Sequence, residues 1–373
     1  MDISKIIRRY NLKKLTLGVL GSHSALDICS GAKKFGFKTL VVAQKGRDYV
    51  YSKHYKTVDN LGCVDDCIIV DSFDELLKPS LIKNLISKNI IFIPHRSFEV
   101  YLNFNYPAIE RKFSVPMFGN RYLLKIEERS AKPNQYDLLE KAGIKYPKQF
   151  KNPKNIDRLC LVKVLEKERG FERAFFLVKN YIDFQRQAKE KLKNEIFTKE
   201  QLNNCVIEEF ILGSPVNFNF FYSQISKRLE LLGTDTRRQT NLDGILRIPA
   251  NYQSEVLQHT HITYEESGHI AVTTLESLLE KAFELGEKFV KESQKMFPPG
   301  IIGPFALQSI ITSGPPKKDI VVVDVSPRVP GSPGISATPY SYYLYGKHLS
   351  VGERIAMEIK EAIAKNNLEG VLT

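Results

Sequence analysis

The sequence predicts an α/β protein: a small doubly wound domain at the N-terminus, followed by a region of long, largely antiparallel strands. Three observations carry this. Residues 15–94 alternate short apolar runs with amphipathic segments. Near residue 145 the pattern changes to paired strands around charged loops. The chain has 373 residues, 43% of them apolar and 26% charged, enough for two or three domains with sizeable cores.

The elements follow in order. Leu15 to Leu20 reads as a buried parallel strand that ends in Gly21-Ser22-His23-Ser24. Gly21 permits a tight turn, and Ser22 or Ser24 can cap the next helix. That helix carries Leu26, Ile28, Cys29, Ala32 and Phe35 and stops at Gly36. Lys38 to Ala43 is the second strand. The intervening loop thus sits at the carboxyl end of a strand, where α/β sheets bind ligands, and a helix N-terminus there favours an anion. The loop has one glycine where a dinucleotide fingerprint has three, so a phosphate is favoured over NAD. A plain strand–helix turn is the competing reading. Val64 to Val70 reads as a strand, Leu76 to Ile86 as a helix, and Asn89 to Pro94 as another buried strand. The latter delivers His95, Arg96 and Ser97 to the same edge, as ligand contacts or as a surface turn.

Gly143 stops a helix around Tyr136 to Lys141. "RLCLVKV" and "RAFFLVKN" read as strands around a charged loop, with a helix from about Ile182 to Lys193. "CVIEEFILG" is a strand leading into a turn, and "VNFNFFYS" and "LELLGTDTRRQTN" are long antiparallel strands. Leu278, Leu279, Ala282, Leu285 and Phe289 form one apolar face of a helix from Leu275 to Met296. "GPFALQSIIT" and "DIVVVDVSPR" pair as a hairpin, and a last helix runs from Val351 to Ala364.

A net charge of +12 points to anionic partners. Basic runs interleaved with aromatics are missing, which argues against nucleic acid and leaves phosphorylated small molecules. No apolar run approaches the length of a membrane span or a signal core, so neither membrane nor export is expected. Five scattered cysteines suit a reduced cytoplasm. Cys63 and Cys67 lack the second pair that a structural metal needs. His259-x-His261 looks like a metal pair on a strand but lacks a third ligand. His54, His269 and His348 read as surface or packing residues, and the tyrosines at 340, 342, 343 and 345 as core or interface.

Three features of the second region carry chemistry. Lys163 sits in an apolar strand, either facing solvent or contacting a phosphate. Glu208 and Glu209 are adjacent in a strand, so they face opposite sides, and the less solvated one can hold an adenine amino group or a ribose hydroxyl. Gln308 and Asp324 fall on neighbouring strands and offer oxygens to Mg²⁺, which leaves its other positions to phosphates and water. Arg328 can neutralise a transferred phosphoryl group. Asp235 and Arg237 share a strand face, salt-bridged to each other or with Arg237 on a phosphate.

The order of these features resembles the ATP-grasp superfamily. More closely, "LGSHSALDICSGAKKFGFKTLVV", "GNRYLLKIEERS", "RLELLGTDTRRQTNLDG", "GPFALQ" and "TPYSYYLYGKHLSVGERIAMEIKEAI" resemble the archaeal formate-dependent FAICAR synthetase family, over nearly the whole chain. The resemblance implies a Rossmann-like domain over 1–120 and an ATP-grasp fold with a small lobe over 121–205 and a large lobe over 206–373. It implies a cytoplasmic homo-oligomer, a trimer or hexamer, that joins formate to the amine of AICAR using ATP and Mg²⁺ or Mn²⁺, through formyl phosphate. His23, Ser97 and Asn241 match AICAR contacts. Lys163, Glu208, Glu209, Ile211 and Glu230 match the ATP site, Gln308 and Asp324 the metal positions, and Arg328 the catalytic cation. Many relatives have Glu-Val-Ser-Ala-Arg where this chain has Asp324-Val-Ser-Pro-Arg328, and Ala174 stands where Gly is expected. The alternative is a divergent ATP-grasp paralogue, either a ligase with another amine acceptor or a non-catalytic nucleotide sensor.

Overall fold

The computed structural model describes residues 3–163, 175–238, 240–260, 267–314, 317–331 and 333–373. Ala174 and His261 lie outside this set.

The first layer is a parallel sheet of β1 (Thr16–Leu20), β2 (Lys38–Gln44), β3 (Asp66–Val70) and β4 (Ile90–Phe92), in the order β3-β2-β1-β4. Every residue of β1 is buried, as its unbroken apolar run requires of a central parallel strand. The helix expected over Leu76 to Ile86 is instead a 3₁₀ turn, Phe73–Leu77, and a separate helix, Pro79–Ser87. Pro79 has no amide proton to continue the first turn, but its fixed φ suits the first position of a new helix.

The last α-helix, Val351–Ala364, returns to pack on the helix that follows β1, Ala25–Lys34. Glycine makes this crossing possible. A Cβ on Gly31 would lie 2.1 Å from the Gly352 carbonyl carbon, and one on Gly352 would lie 2.1 Å from Asp27 O. Ile355, Ile359 and Ala362 thereby join Leu17, Val19 and Val41 in one core.

The second layer is small and antiparallel: β5 (Cys160–Lys163), β6 (Phe175–Val178) and β7 (Val206–Glu209), in the order β6-β5-β7. Cys160, Val162, Val178 and Ile207 point to its core. β7 starts just past the expected boundary at 205 yet pairs with β5, so it belongs to this layer.

The third layer holds β8 (Ser214–Ser223), β9 (Arg228–Arg238), β10 (Gly268–Ala271), β11 (Gly303–Thr312) and β12 (Asp319–Ser326), in the order β10-β9-β8-β11-β12. One face carries Phe218, Phe220, Phe305 and Leu307, packed with Leu278, Leu285 and Phe289 of the helix Glu276–Met296. The opposite face is polar at one end and faces the other two layers. His259 ends a helix, Ala250–His259, rather than lying on a strand. Among the described residues no helix is long and apolar enough to cross a membrane, and all five cysteines are unpaired thiols.

Candidate functional site

A cleft of about 660 Å³ opens where the three layers meet. His23 lines it from the first layer, Lys163, Glu208 and Glu209 from the second, Gln308 and Asp324 from the third, with Arg328 beyond β12 and Ile211 beyond β7.

The N-terminal wall is stitched to the segment after β12. His23 takes a positive φ of 49°, and its ring lies so close to Gly331 that a Cβ there would sit 2.1 Å from His23 Cε1. Neither serine of the loop caps the next helix with its side chain as expected. Ser24 Oγ donates to Pro330 O at 3.2 Å, and the Ser97 and Ser22 hydroxyls pair at 3.0 Å. The His23 ring stacks on His95 with centroids 6.0 Å apart. His95 is fully buried rather than in a surface turn. Its Nδ1 accepts from Ser97 N at 3.2 Å, so Nε2 carries the proton and donates to Leu20 O at 2.8 Å. Burial and the nearby His23 push its pKa down to about 3, fixing the neutral ring. Ser97 therefore braces the loop from below rather than lining the cleft.

Arg328 is buried in a charged cluster. Its guanidinium donates to Glu99 Oε1 at 3.2 Å and to both Glu127 oxygens at 2.9 and 2.7 Å, while Arg96 meets Glu127 at 2.9 Å. Burial and the neighbouring Glu127 push the Glu99 carboxyl up to about 7. Arg328 thus faces the cleft with its charge already shared by two carboxylates. Arg96, Arg129 and Arg237 are further cleft cations, of which sequence reasoning had weighed only Arg96 and Arg237.

Gln308 and Asp324 are direct cross-strand partners, and the register shifts immediately after Gln308 because β12 carries an extra residue there, Val323. Gln308 accepts from Arg237 Nη2 at 2.8 Å and donates to Ser326 Oγ at 3.1 Å. One Asp324 oxygen lies 3.7 Å from Arg129; the other, Oδ1, is buried with no hydrogen-bond partner among the described residues. A buried carboxylate oxygen left unsatisfied is costly unless something occupies it. An amide oxygen beside it is a hard, sparse donor set. No cluster of three His, Cys, Asp or Glu suited to a metal occurs among the described residues. The residues therefore fit Mg²⁺, which is content with few protein oxygens, and not Zn²⁺.

On the third wall the register pairs Leu161 with Glu208, which puts Lys163 and Glu208 on one face. They form an ion pair, and Tyr136 OH donates to Glu208 at 2.9 Å. Of the two adjacent glutamates, Glu208 is the buried one, as alternation requires, but its carboxylate is already satisfied. Glu209 reaches out to Arg158 at 3.1 Å.

Besides Ser97, two expected residues lie outside the cleft. Glu230 faces the correct side of the sheet but lies under the last helix, where Arg354 holds it at 2.7 and 3.0 Å. Asn241 is exposed beside the helix Leu242–Ile245 and does not line the cleft. Conversely, His269 is no surface residue. It lines the cleft from β10, with Nδ1 2.5 Å from the buried Asp235 Oδ2. Asn219 Nδ2 donates to the other Asp235 oxygen at 2.6 Å, and Asn217 Nδ2 to Oδ2 at 3.0 Å. The Asn-x-Asn and Asp-x-Arg alternation in β8 and β9 was the available signal for this polar face.

A family model described as a protein of unknown function (DUF1246) matches residues 17–150, and a domain of unknown function (DUF1297) matches residues 183–373. The chain is 36% identical to the 5-formaminoimidazole-4-carboxamide-1-(beta)-D-ribofuranosyl 5'-monophosphate synthetase of Methanopyrus kandleri, covering 100% of this chain and 99% of that protein. Identity to the Methanocaldococcus jannaschii protein of the same name is also 36%, with the same coverage. Among solved structures, the IMP biosynthesis protein PurP of Thermococcus kodakaraensis superposes with a TM-score of 0.69 at 30% identity, over 96% of this chain and 100% of that one. An N5-carboxyaminoimidazole ribonucleotide synthetase in complex with ADP shares the fold at a TM-score of 0.55 and 14% identity, over 92% of this chain and 80% of that one. The architecture is a Rossmann-like domain followed by a two-lobed ATP-grasp fold. The chain belongs to the 5-formaminoimidazole-4-carboxamide-1-(beta)-D-ribofuranosyl 5'-monophosphate synthetase family.

Proposed function

We infer that this chain is an ATP- and formate-dependent ligase that converts AICAR to FAICAR, releasing ADP and phosphate, in purine biosynthesis. The observation that carries it is the Asp324 Oδ1 atom, buried without a partner beside Gln308 at the floor of a cleft walled by all three layers. Such an oxygen supports a cation that accompanies nucleotide phosphates, and turnover separates the ligase from a sensor.

In this reading ATP lies between the second and third layers, its adenine near Glu209 and Ile211 and its phosphates toward Lys163. Asp324 and Gln308 would hold Mg²⁺, which lowers the charge on the ATP phosphates during transfer to formate. Asp324 is one methylene shorter than the Glu of many relatives, and the bulge at Val323 is where the register between these strands shifts. AICAR occupies the His23 side, with its phosphate near the loop Gly21–Ser24, and Ser97 holds that loop from below. Asn241 is assigned to the acceptor on resemblance alone. Arg328, anchored by Glu99 and Glu127, presents a fixed cation to the acyl phosphate. Enclosure matters because formyl phosphate hydrolyses readily. The division into 1–120, 121–205 and 206–373 is adopted with β7 assigned to the small lobe. A cytoplasmic homo-oligomer is part of the same proposal.

The test is ADP release by the purified chain with ATP, Mg²⁺ and AICAR, with and without formate. Product masses are read for a formyl group on the AICAR amine. Formate-dependent FAICAR supports the reading. ADP without FAICAR points to a different acid or amine, and binding without turnover to a sensor.

A further inference from the structure

The acceptor amine loses a proton during the reaction inferred above, and that reading names no group to take it. As the amine nitrogen attacks the acyl phosphate, a C–N bond forms, the C–O bond to phosphate breaks, and the phosphate leaves with its electron pair. The nitrogen then carries a proton that must go elsewhere. An aromatic amine is a weak nucleophile, so removing that proton in the transition state accelerates attack.

We propose that His269, oriented by Asp235, accepts this proton. The proposal rests on the ligase reading. Asp235 is 1% exposed and is held by three side chains: His269, Asn219 and Asn217. Burial pushes its carboxyl up, but the hydrogen bonds from His269 and Asn219 outweigh it and hold the group below the usual range. A carboxylate on Nδ1 keeps the ring proton there, which makes Nε2 the basic atom on a ring that lines the cleft.

Position argues the same way. Asp324, Gln308, Asn217 and Asp235 are register partners across four adjacent strands, one polar row running over the sheet. Strands lie about 4.8 Å apart, so Asp235 sits about 10 Å along the row from Gln308, and His269 reaches back to it from the next strand. That span accommodates a phosphoryl group at the Asp324 end, the one-carbon acid next to it, and the amine toward His269. The other titratable group that faces His269 from β9 is Arg237, which is bonded to Gln308. Asn217 and Asn219 of β8 do not titrate, and the described residues of the segment Pro333–Ala337 packed on β10 carry no titratable side chain. Asp235 is a positioning residue, acting through the imidazole.

The experiment follows ADP and FAICAR in parallel, from pH 5 to 9, for the wild-type chain, His269→Gln and Asp235→Asn. In His269→Gln, FAICAR formation falls about 100-fold while formate-dependent ADP release persists, and the acidic limb of the FAICAR profile disappears. In Asp235→Asn the limb survives but moves to lower pH, because the imidazole loses its carboxylate partner. Equal losses of ADP and FAICAR in both variants, with the wild-type pH profile retained, would overturn the proposal and leave the dyad a structural contact. No FAICAR from the wild-type chain would sink the ligase reading itself, a failure visible before any variant is made.

Discussion

The polar face of the five-stranded sheet has two halves built from the same residue types. One half lies under the last helix. There Glu230 meets Arg354 at 2.7 Å, Arg354 meets Glu358 at 3.0 Å, and Ser223 Oγ donates to Glu358 at 2.8 Å. Arg354 also lies 4.2 Å over the Phe221 ring. The other half is open and carries Asn217, Arg237, Gln308 and Asp324. In the covered half each carboxylate is met by Arg354 or Ser223, and Arg354 Nη1 is left with an ion-pair contact to Glu358 alone; the open half leaves a carboxylate oxygen, Asp324 Oδ1, without a hydrogen-bond partner among the described residues. Carboxylate and arginine content says nothing about which half binds a ligand. Coverage and completeness of hydrogen bonding do.

The largest effect belongs to the covered half. Arg354→Met leaves two buried carboxylates uncompensated and costs about 3–5 kcal/mol, read as a lower urea midpoint. Turnover per folded molecule stays near wild type. A collapse of turnover without loss of stability would erase the distinction between the halves.

The open half reverses this pattern. Asp324→Asn removes a half-buried carboxylate charge whose ion-pair partner among the described residues, Arg129, stands 3.7 Å away, so the urea midpoint changes little. Formate-dependent ADP release falls about 100- to 1000-fold, since the group that would hold Mg²⁺ is lost. If stability falls as far as in Arg354→Met, Asp324 is a structural residue and the comparison breaks.

Lys163 stands between these extremes, because it is both partnered and cleft-lining. Lys163→Met leaves Glu208 with the Tyr136 hydroxyl as its side-chain donor among the described residues and costs about 2 kcal/mol of stability. It also raises the KM for ATP, in steady-state ADP release. A change in stability alone assigns Lys163 to the frame; a change in KM alone assigns it to the nucleotide.

What was legible in the sequence follows from strand periodicity. The hairpin pattern put Gln308 and Asp324 on neighbouring strands, and period-2 alternation made one of Glu208 and Glu209 the buried carboxylate; that Asp324 stands opposite Gln308 depends on a bulge that alternation does not show. Coverage was not legible. Five residues separate Glu230 from Asp235, so the bulge in β9 and not alternation brings it to the face of the site, and the helix that removes it from solvent comes 124 residues later. Arg328 could be read as a phosphate ligand because Glu99, 229 residues away, leaves no local trace. His269 was passed over because β10 is only four residues long, too short for a pattern, and its register against Arg237 exists only in the folded sheet. The serines of the first loop look like caps because capping is a local property. Their actual partners, Pro330 and Ser97, are distant.

The smallest effect concerns the frame beneath the cleft. His95 is pushed from 6.5 to about 3, so the unfolded chain binds a proton that the folded chain refuses. Its stabilisation is complete above the unfolded pKa and is lost as pH falls toward 3. Between pH 7.5 and 5.5 the loss is about 1.4 kcal/mol. Glu99 works in the opposite sense. Its carboxyl is raised from 4.5 to about 7, so the folded state takes up a proton as pH falls through 7 and gains stability over the same interval. The slope of the wild-type chain therefore nearly cancels and identifies neither group. His95→Gln separates them: a glutamine amide can still donate to Leu20 O, but it does not titrate. The difference in unfolding free energy between wild type and His95→Gln should shrink by about 1.4 kcal/mol from pH 7.5 to 5.5. A difference that stays constant would mean that His95 takes up its proton in the fold as readily as in the unfolded chain, and the tautomer that holds Leu20 to Ser97 would have to be reassigned.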